Sequence, residues 1–281
     1  MNYLSNCLLF CHDTIFLALG KLFLKGSNLI PHKLPLSVEL LKVIGRLHSK
    51  GRILNTLGNL PVPNLFPEPG TYGRYIEVFG GAGWVLFSSD SHAKMEVYND
   101  VNGNLVNLFR CIKYHPDAVQ NELQYILISR EQFYDAREQI ETRGMTDIQR
   151  AARFFILIKE SFGADVRSFG LRPRDMEKAK EYLIQVSKRL NKVVIENLDF
   201  QKILKNYDKN DALFYLDPPY YETEKYYPDR FMPEDHVRLK EALDVIKGKF
   251  VLSYNDCEYI RELYYNAHMF PVQEIVLQSY F

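Results

Sequence analysis

Five short apolar runs punctuate the chain: Arg74–Phe79, Lys94–Tyr98, Val193–Glu196, Ala212–Leu216 and Phe250–Ser253. They are rich in β-branched and aromatic residues, and turn-forming residues bound most of them, as in strands buried in a parallel sheet. Between the second and third runs the signals are helical. Ser129 with Gln132, and Thr146 with Gln149, have the spacing of capping boxes, so each opens a helix. The helix after Thr146 carries Ala151, Phe154, Phe155, Leu157, Ile158 and Phe162, nearly apolar all round, which predicts burial. Gly163 and Gly170 break that pattern. Strands alternating with helices predict a doubly wound α/β sheet, with a helical cluster inserted between about Leu105 and Leu190. No internal repeat or low-complexity segment interrupts it.

The two ends read differently. Leu8–Phe10 and Ile15–Leu24 are apolar, but His12, Asp13 and Lys21 interrupt them. The stretch falls short of the roughly 20 apolar residues a membrane span needs, and no basic leader marks a signal peptide. Residues 1–42 are therefore expected to form a packed helix or an irregular extension, with no membrane partner. At the other end, a helix over Cys257–Tyr265 leaves little room before Phe281 for two further strands.

A chain of 281 residues, 47% hydrophobic, suffices for one large α/β domain with a smaller one attached. Lys+Arg number 35 and Asp+Glu 35, which excludes attachment to DNA by overall field alone. The balance is local, however: Arg150–Lys192 holds eleven Lys/Arg against five Asp/Glu, either a phosphate-facing surface or a solvated helical face. Cys7, Cys11, Cys111 and Cys257 form no disulfide framework. Cys7, Cys11 and His12 lack a second ligand pair, so no metal is expected. A reducing cytoplasm is the simplest compartment.

Two of the runs end in groups suited to chemistry. Ala212–Leu216 meets Asp217-Pro218-Pro219-Tyr220. The two prolines stop the strand and make a rigid turn at its C-terminal edge, where open α/β sheets place their ligands. A carboxylate, carbonyls in fixed directions and an aromatic face suit a planar base bearing an amino group; the plain alternative is an Asp-Pro surface turn. The first run leads into Gly80-Gly81-Ala82-Gly83 and then the helix-compatible Trp84–Phe87. Strand, glycine turn and helix let the backbone approach a nucleotide-like ligand, although a tight βα connection would look the same. The second run ends in Asn99-Asp100, an acid where such folds hold ribose hydroxyls.

Together these residues resemble the Dam-like DNA adenine-N6 methyltransferases, over about Val43 to Asn266. The resemblance is closest at Tyr75–Asn107, Asp147–Gly170 and Asp211–Leu263. It implies a Rossmann-like sheet binding S-adenosylmethionine (SAM), with domain segments 43–108 and 191–281. A helical target-recognition domain is then expected over 109–190. It implies that Arg46 and Lys50 in an opening motif, and Glu77, Phe79, Gly80, Gly81 and Gly83 around the glycine turn, surround the cofactor. Asp100, Asn197, Asp199 and Phe200 complete that side, with Asp217 shared. Asn197-Leu198-Asp199-Phe200 takes the place of the element beside the SAM adenine, though Asp199 is equally a helix N-cap. The loop Lys159–Gly170 takes the place of the recognition loop. Ser161 and Arg167 there would face DNA bases, Lys159 would contact phosphate, and Tyr221 would close over the target.

The implied reaction joins the SAM methyl to adenine N6 in double-stranded DNA, with the base flipped out and Asp217, Pro218, Pro219 and Tyr220 catalytic. Two departures from the family pattern are visible. His48-Ser49 stands where glycines are expected, and the insert Asn55–Pro69 is long. With the short C-terminus they leave open a relic that binds SAM or DNA without turnover. The same chemistry on cytosine, RNA or protein glutamine is also open. A restriction endonuclease would be the natural partner of an active enzyme.

Overall fold

The computed structural model describes residues 66–67, 70–161, 166–170, 176–222, 231–255, 257–266, 268–271 and 274–278. Residues 1–42, Arg46, His48, Ser49, Lys50 and nearly all of Asn55–Pro69 lie outside them.

The five apolar runs are the strands β1 (Arg74–Glu77), β2 (Met95–Asn99), β3 (Val193–Glu196), β4 (Ala212–Leu216) and β5 (Lys249–Asn255). They pair in parallel, and β6 (His268–Pro271) and β7 (Glu274–Gln278) complete a seven-stranded sheet ordered β3-β2-β1-β4-β5-β7-β6. The chain steps outward from β1 to β3 on one side and from β4 to β5 on the other. The order thus reverses between β1 and β4, the switch point at which a crevice opens above the strand ends.

Between β2 and β3 run helices α1 (Gly103–Tyr114), α2 (Pro116–Gln124), α3 (Arg130–Gln139), α4 (Asp147–Glu160) and α5 (Met176–Leu190). Then follow α6 (Phe200–Tyr207), α7 (Pro233–Asp244) and α8 (Glu258–Leu263). Thr146 and Gln149 form the full capping box of α4, and Ser129 accepts from the Gln132 N–H at the start of α3. Strand side chains alternate between two cores. Tyr75, Tyr98, Leu213 and Val251 face α1, α4 and α5, whose Phe109, Phe155 and Val186 join the same cluster. Ile76, Val97, Phe214 and Leu252 face α6, α7 and α8. The helical insert is therefore continuous with one face of the sheet. The free edge of β3 is covered from α1, where Lys113 Nζ donates to Val193 O at 2.8 Å and Arg110 to Ile195 O at 3.2 Å. Such cover blunts an edge that would otherwise pair with another strand.

Two expectations fail. The segment after the glycine turn is a run of turns with a 3-10 piece, Leu86–Ser88, instead of a helix. Ser88 Oγ bonds back to Val85 O, and Ser89 Oγ to Ser91 O, so local side chains compete with helical bonding while the chain returns to β2. The C-terminus, expected to lack room for two strands, forms both. Four residues in β6 and five in β7 suffice, with β7 antiparallel to β5 from Val251↔Gln278 to Asn255↔Glu274. Among the described residues no helix is long and apolar enough to cross a membrane.

Candidate active site

At the end of β1 the backbone stays locked to its neighbours. Val78 N–H donates to Tyr215 O of β4 at 3.0 Å, and Gly80 N–H to Asn99 O of β2 at 2.7 Å. The glycine turn and the Asp217 turn thus leave adjacent strands side by side. Gly81 takes φ +49°, the left-handed region that favours glycine, and among the described residues a Cβ there would meet nothing within 4 Å. Among the described residues the turn is therefore open on that side. Gly80 is required for a different reason: a Cβ would come within 2.2 Å of the Tyr98 ring. Tyr98 in turn donates its hydroxyl to Gly81 O at 2.6 Å.

Asp100 does more than the sequence suggests. One carboxylate oxygen accepts the Gly81 N–H at 2.8 Å and the other the Asn102 N–H at 2.8 Å, fastening the turn to the end of β2. The carboxylate that fastens the turn stands at the C-terminal end of β2. Asn99, given no role of its own from the sequence, is the second fastener. Buried, it donates through Nδ2 to Val78 O and Leu198 O at 2.9 and 3.0 Å, and accepts from Leu198 N–H at 2.9 Å. Asn197 adds bonds to Asp100 O and Val101 O. The ends of β1, β2 and β3 form one hydrogen-bonded platform.

Glu77 lies beneath this platform, fully buried. One oxygen accepts from Tyr75 Oη at 2.8 Å and from Leu86 N–H at 2.7 Å. Burial outweighs those bonds and pushes its carboxyl up to about 8, and the nearby charge of Asp217 pushes the same way. Glu77 is thus an internal tie of the turn. Asp199 takes the N-cap of α6, accepting the Gln201 N–H at 2.9 Å, and Arg238 approaches it at 3.4 Å. Phe79 and Phe200 do come together, with ring centroids 5.7 Å apart and Phe231 beside both. The Arg238 guanidinium covers the Phe200 ring at 4.9 Å.

At β4, Asp217 is exposed and Pro218 buried, with Pro219 and Tyr220 between. Tyr220 Oη pairs with Ser253 Oγ of β5 at 2.9 Å, and its ring lies 6.2 Å from that of Tyr254. Asn255, also on β5, clamps the next residue: Tyr221 N–H donates to its Oδ1 at 3.1 Å, and its Nδ2 donates to Tyr221 O at 3.3 Å. The Tyr221 ring stacks on Tyr259 at 4.3 Å and 21°. His236, buried against Tyr254 Oη at 2.5 Å, closes the aromatic floor. Ser253, Asn255 and Tyr259 were missed from sequence; the only signal was their place at and just beyond a strand's C-terminal end.

The residues expected to face DNA divide. Arg167 is exposed. Lys159 and Ser161 are 8% and 0% exposed, a correction to their surface placement. They close the end of α4, where Gly170 N–H donates to Glu160 O at 2.6 Å and Ser161 bridges to Phe169. The intervening residues 162–165, and residues 223–230 after Tyr221, lie outside the described residues. Tyr221, stacked on Tyr259, is half-buried.

Comparison with known proteins agrees with this geometry. A family model described as D12 class N6 adenine-specific DNA methyltransferase matches residues 61–277. The chain is 28% identical over 235 residues to the type II methyltransferase M1.LlaDCHI of Lactococcus lactis subsp. cremoris, covering 73% of this chain and 80% of that protein. It is 26% identical over 211 residues to the type II methyltransferase M.CviBI of Paramecium bursaria Chlorella virus NC1A, covering 70% and 78% respectively.

Proposed function

The chain belongs to the D12 class N6 adenine-specific DNA methyltransferases, and on that premise we propose how its residues divide the work of methylating adenine in DNA. The observation that carries the proposal is the adjacency of two turns across the β1/β4 switch point, held by the Val78–Tyr215 bond. Bound SAM supplies an electrophilic methyl on a sulfonium whose departing thioether is neutral. The open face of Gly81 and the carboxylate of Asp100 suit its backbone-hugging and ribose portions. Phe79, backed by the buried Phe200, borders the place of its adenine ring, and Asn197 and Asp199 hold that wall in position.

The second turn handles the target base. The lone pair of an exocyclic adenine amine is delocalised into the ring, which makes it a poor nucleophile. Asp217 and the Pro218 carbonyl accept its two N–H bonds and turn the nitrogen toward sp³, localising the pair toward the methyl. Tyr220 stacks on the flipped base, while Pro219 keeps the turn rigid. After transfer the nitrogen gives up a proton to Asp217 or to water. Positioning of this kind can supply several kcal/mol of the barrier reduction, on the order of 7–11 in well-oriented systems. The helical segment 109–190, with Arg167 exposed on one of its loops, is proposed to read DNA, and a restriction endonuclease is proposed as partner.

The test is product identity. The protein is incubated with methyl-labelled SAM and, separately, adenine-methylation-free DNA, RNA and protein, and the labelled product is identified. Label in N6-methyladenine of DNA is expected; label in cytosine, RNA or glutamine would overturn the assignment of the amino acceptors to adenine.

A further inference from the structure

Helix α5 ends beside the segment that follows the glycine turn, and one of its side chains crosses to that segment. Arg189 is buried, its side chain 7% exposed. Its two terminal nitrogens donate to both oxygens of Glu96 on β2, at 2.8 and 2.7 Å. The same guanidinium donates to Leu86 O at 2.7 Å and, through Nε, to Ser89 O at 2.8 Å. Glu96, its side chain 4% exposed, also accepts the His92 N–H at 2.9 Å. Leu86 and Ser89 border the 3-10 piece that follows Gly83. So short a segment leaves its carbonyls without partners of its own, and Arg189 supplies donors from about a hundred residues away along the chain. Leu86 is held from the other side as well, its N–H on Glu77.

Resting on the reading of Gly80–Gly83 as the SAM turn, we infer that Arg189 is a positioning residue for the cofactor, fixing that turn from the helical segment. It acts through Leu86 and Ser89 and through Glu96, and touches neither cofactor nor base. A planar guanidinium is needed because four acceptors are spread around it; a lysine ammonium is a point charge on a flexible stem and spans them poorly. The end of α5 is anchored in the core shared by α1 and the sheet, through Leu183, Val186 and Leu190. The grip of the turn on SAM therefore depends on where this helix sits.

The experiment measures SAM affinity by calorimetry on the full chain, with thermal unfolding and steady-state kinetics alongside, for wild type, Arg189→Lys, Glu96→Gln and Asp100→Ala. Arg189→Lys is expected to raise the SAM dissociation constant about tenfold, or ~1.4 kcal/mol, at a temperature where it is fully folded. KM for SAM should rise with it, while kcat at saturating SAM stays within about twofold, because the reacting groups are untouched. A lowered melting temperature with unchanged SAM affinity would make Arg189 a structural tie only and overturn the inference. Should Arg189→Lys fail to fold, Glu96→Gln decides by the same criterion, since it keeps the shape and one acceptor. Asp100→Ala separates this claim from the reading beneath it. Weakened SAM binding there, with none in Arg189→Lys, sinks the inference alone, whereas unchanged binding in Asp100→Ala sinks the assignment of the turn.

Discussion

The two halves of the site are built differently. The half made by the ends of β1, β2 and β3 is held by polar bonds that link strand to strand: Asn99 reaches both neighbours, Asp100 holds two backbone N–H groups, and Glu77 holds the far side of the turn. The half made by β4 and β5 rests on an aromatic floor with two polar anchors, the Tyr220–Ser253 pair and the Asn255 clamp. Directional bonds fix a shape in the free protein, while stacked rings set distances and tolerate sliding. On the proposed assignment, the cofactor half is thus pre-formed, and the base half is left able to adjust to a flipped nucleotide.

The largest effect that should divide the halves comes from Asp217→Ala. It removes an acceptor from an exposed position, so the melting temperature should stay near that of wild type. Methyl transfer should fall by at least about a thousandfold, roughly 4 kcal/mol of barrier. Single-turnover rates check this, and a loss below about tenfold would remove Asp217 from the proposed role. Asn99→Ala addresses the other half. It leaves Val78 and Leu198, just beyond the ends of β1 and β3, without their bonds and should destabilise the fold by about 2–4 kcal/mol, measured by denaturant unfolding. A change under about 0.5 kcal/mol would mean that the platform is held elsewhere.

Glu77 gives the pre-formed half a pH signature. Its carboxyl stands at about 8 in the folded protein, above the ordinary 4.5. The folded state therefore holds a proton that the unfolded chain releases, and this group favours folding most at low pH. That contribution should decline as pH rises between those two values, by up to about 1.4 kcal/mol per pH unit, and level off above. Glu77→Gln should flatten the trend. Melting curves of both proteins at pH 5, 6, 7 and 8 test it, and parallel curves would contradict the burial argument. The smallest effect belongs to the clamp. Asn255→Ala should lower kcat/KM for DNA about tenfold, ~1.4 kcal/mol, while SAM affinity stays within about twofold. Equal losses on both substrates would show that the halves are not independent.

The contrast also explains what could be read from the chain. Strands β1 to β5 and both turns were legible because each is a short apolar run cut off by glycine, proline or an acid, and such signals are local. The structural work of Asn99, Asp100, Arg189 and Asn255 was not, because their partners lie up to about a hundred residues away and only the assembled sheet and the packing of α5 on it bring them together. Trp84–Phe87 misled through local composition, since the quick return to β2 ends any helix there. Lys159 was read as surface by its charge, but it sits near the C-terminal end of α4, whose packing buries it. Asp199 proved to be the N-cap that its residue type allowed.

Residue-resolved amide hydrogen exchange on the free protein tests the two-halves claim most directly. The N–H groups of Gly81, Gly83 and Leu86 are bonded within the cofactor half, and that of Tyr221 is bonded to Asn255 in the base half. Opening of a pre-formed unit approaches the global unfolding free energy, whereas a locally anchored loop opens more cheaply. We predict protection of Gly81, Gly83 and Leu86 exceeding that of Tyr221 by at least about a hundredfold without ligand, with the gap narrowing on adding SAM and DNA together. Equal protection in the free protein, or greater protection at Tyr221, would contradict the account.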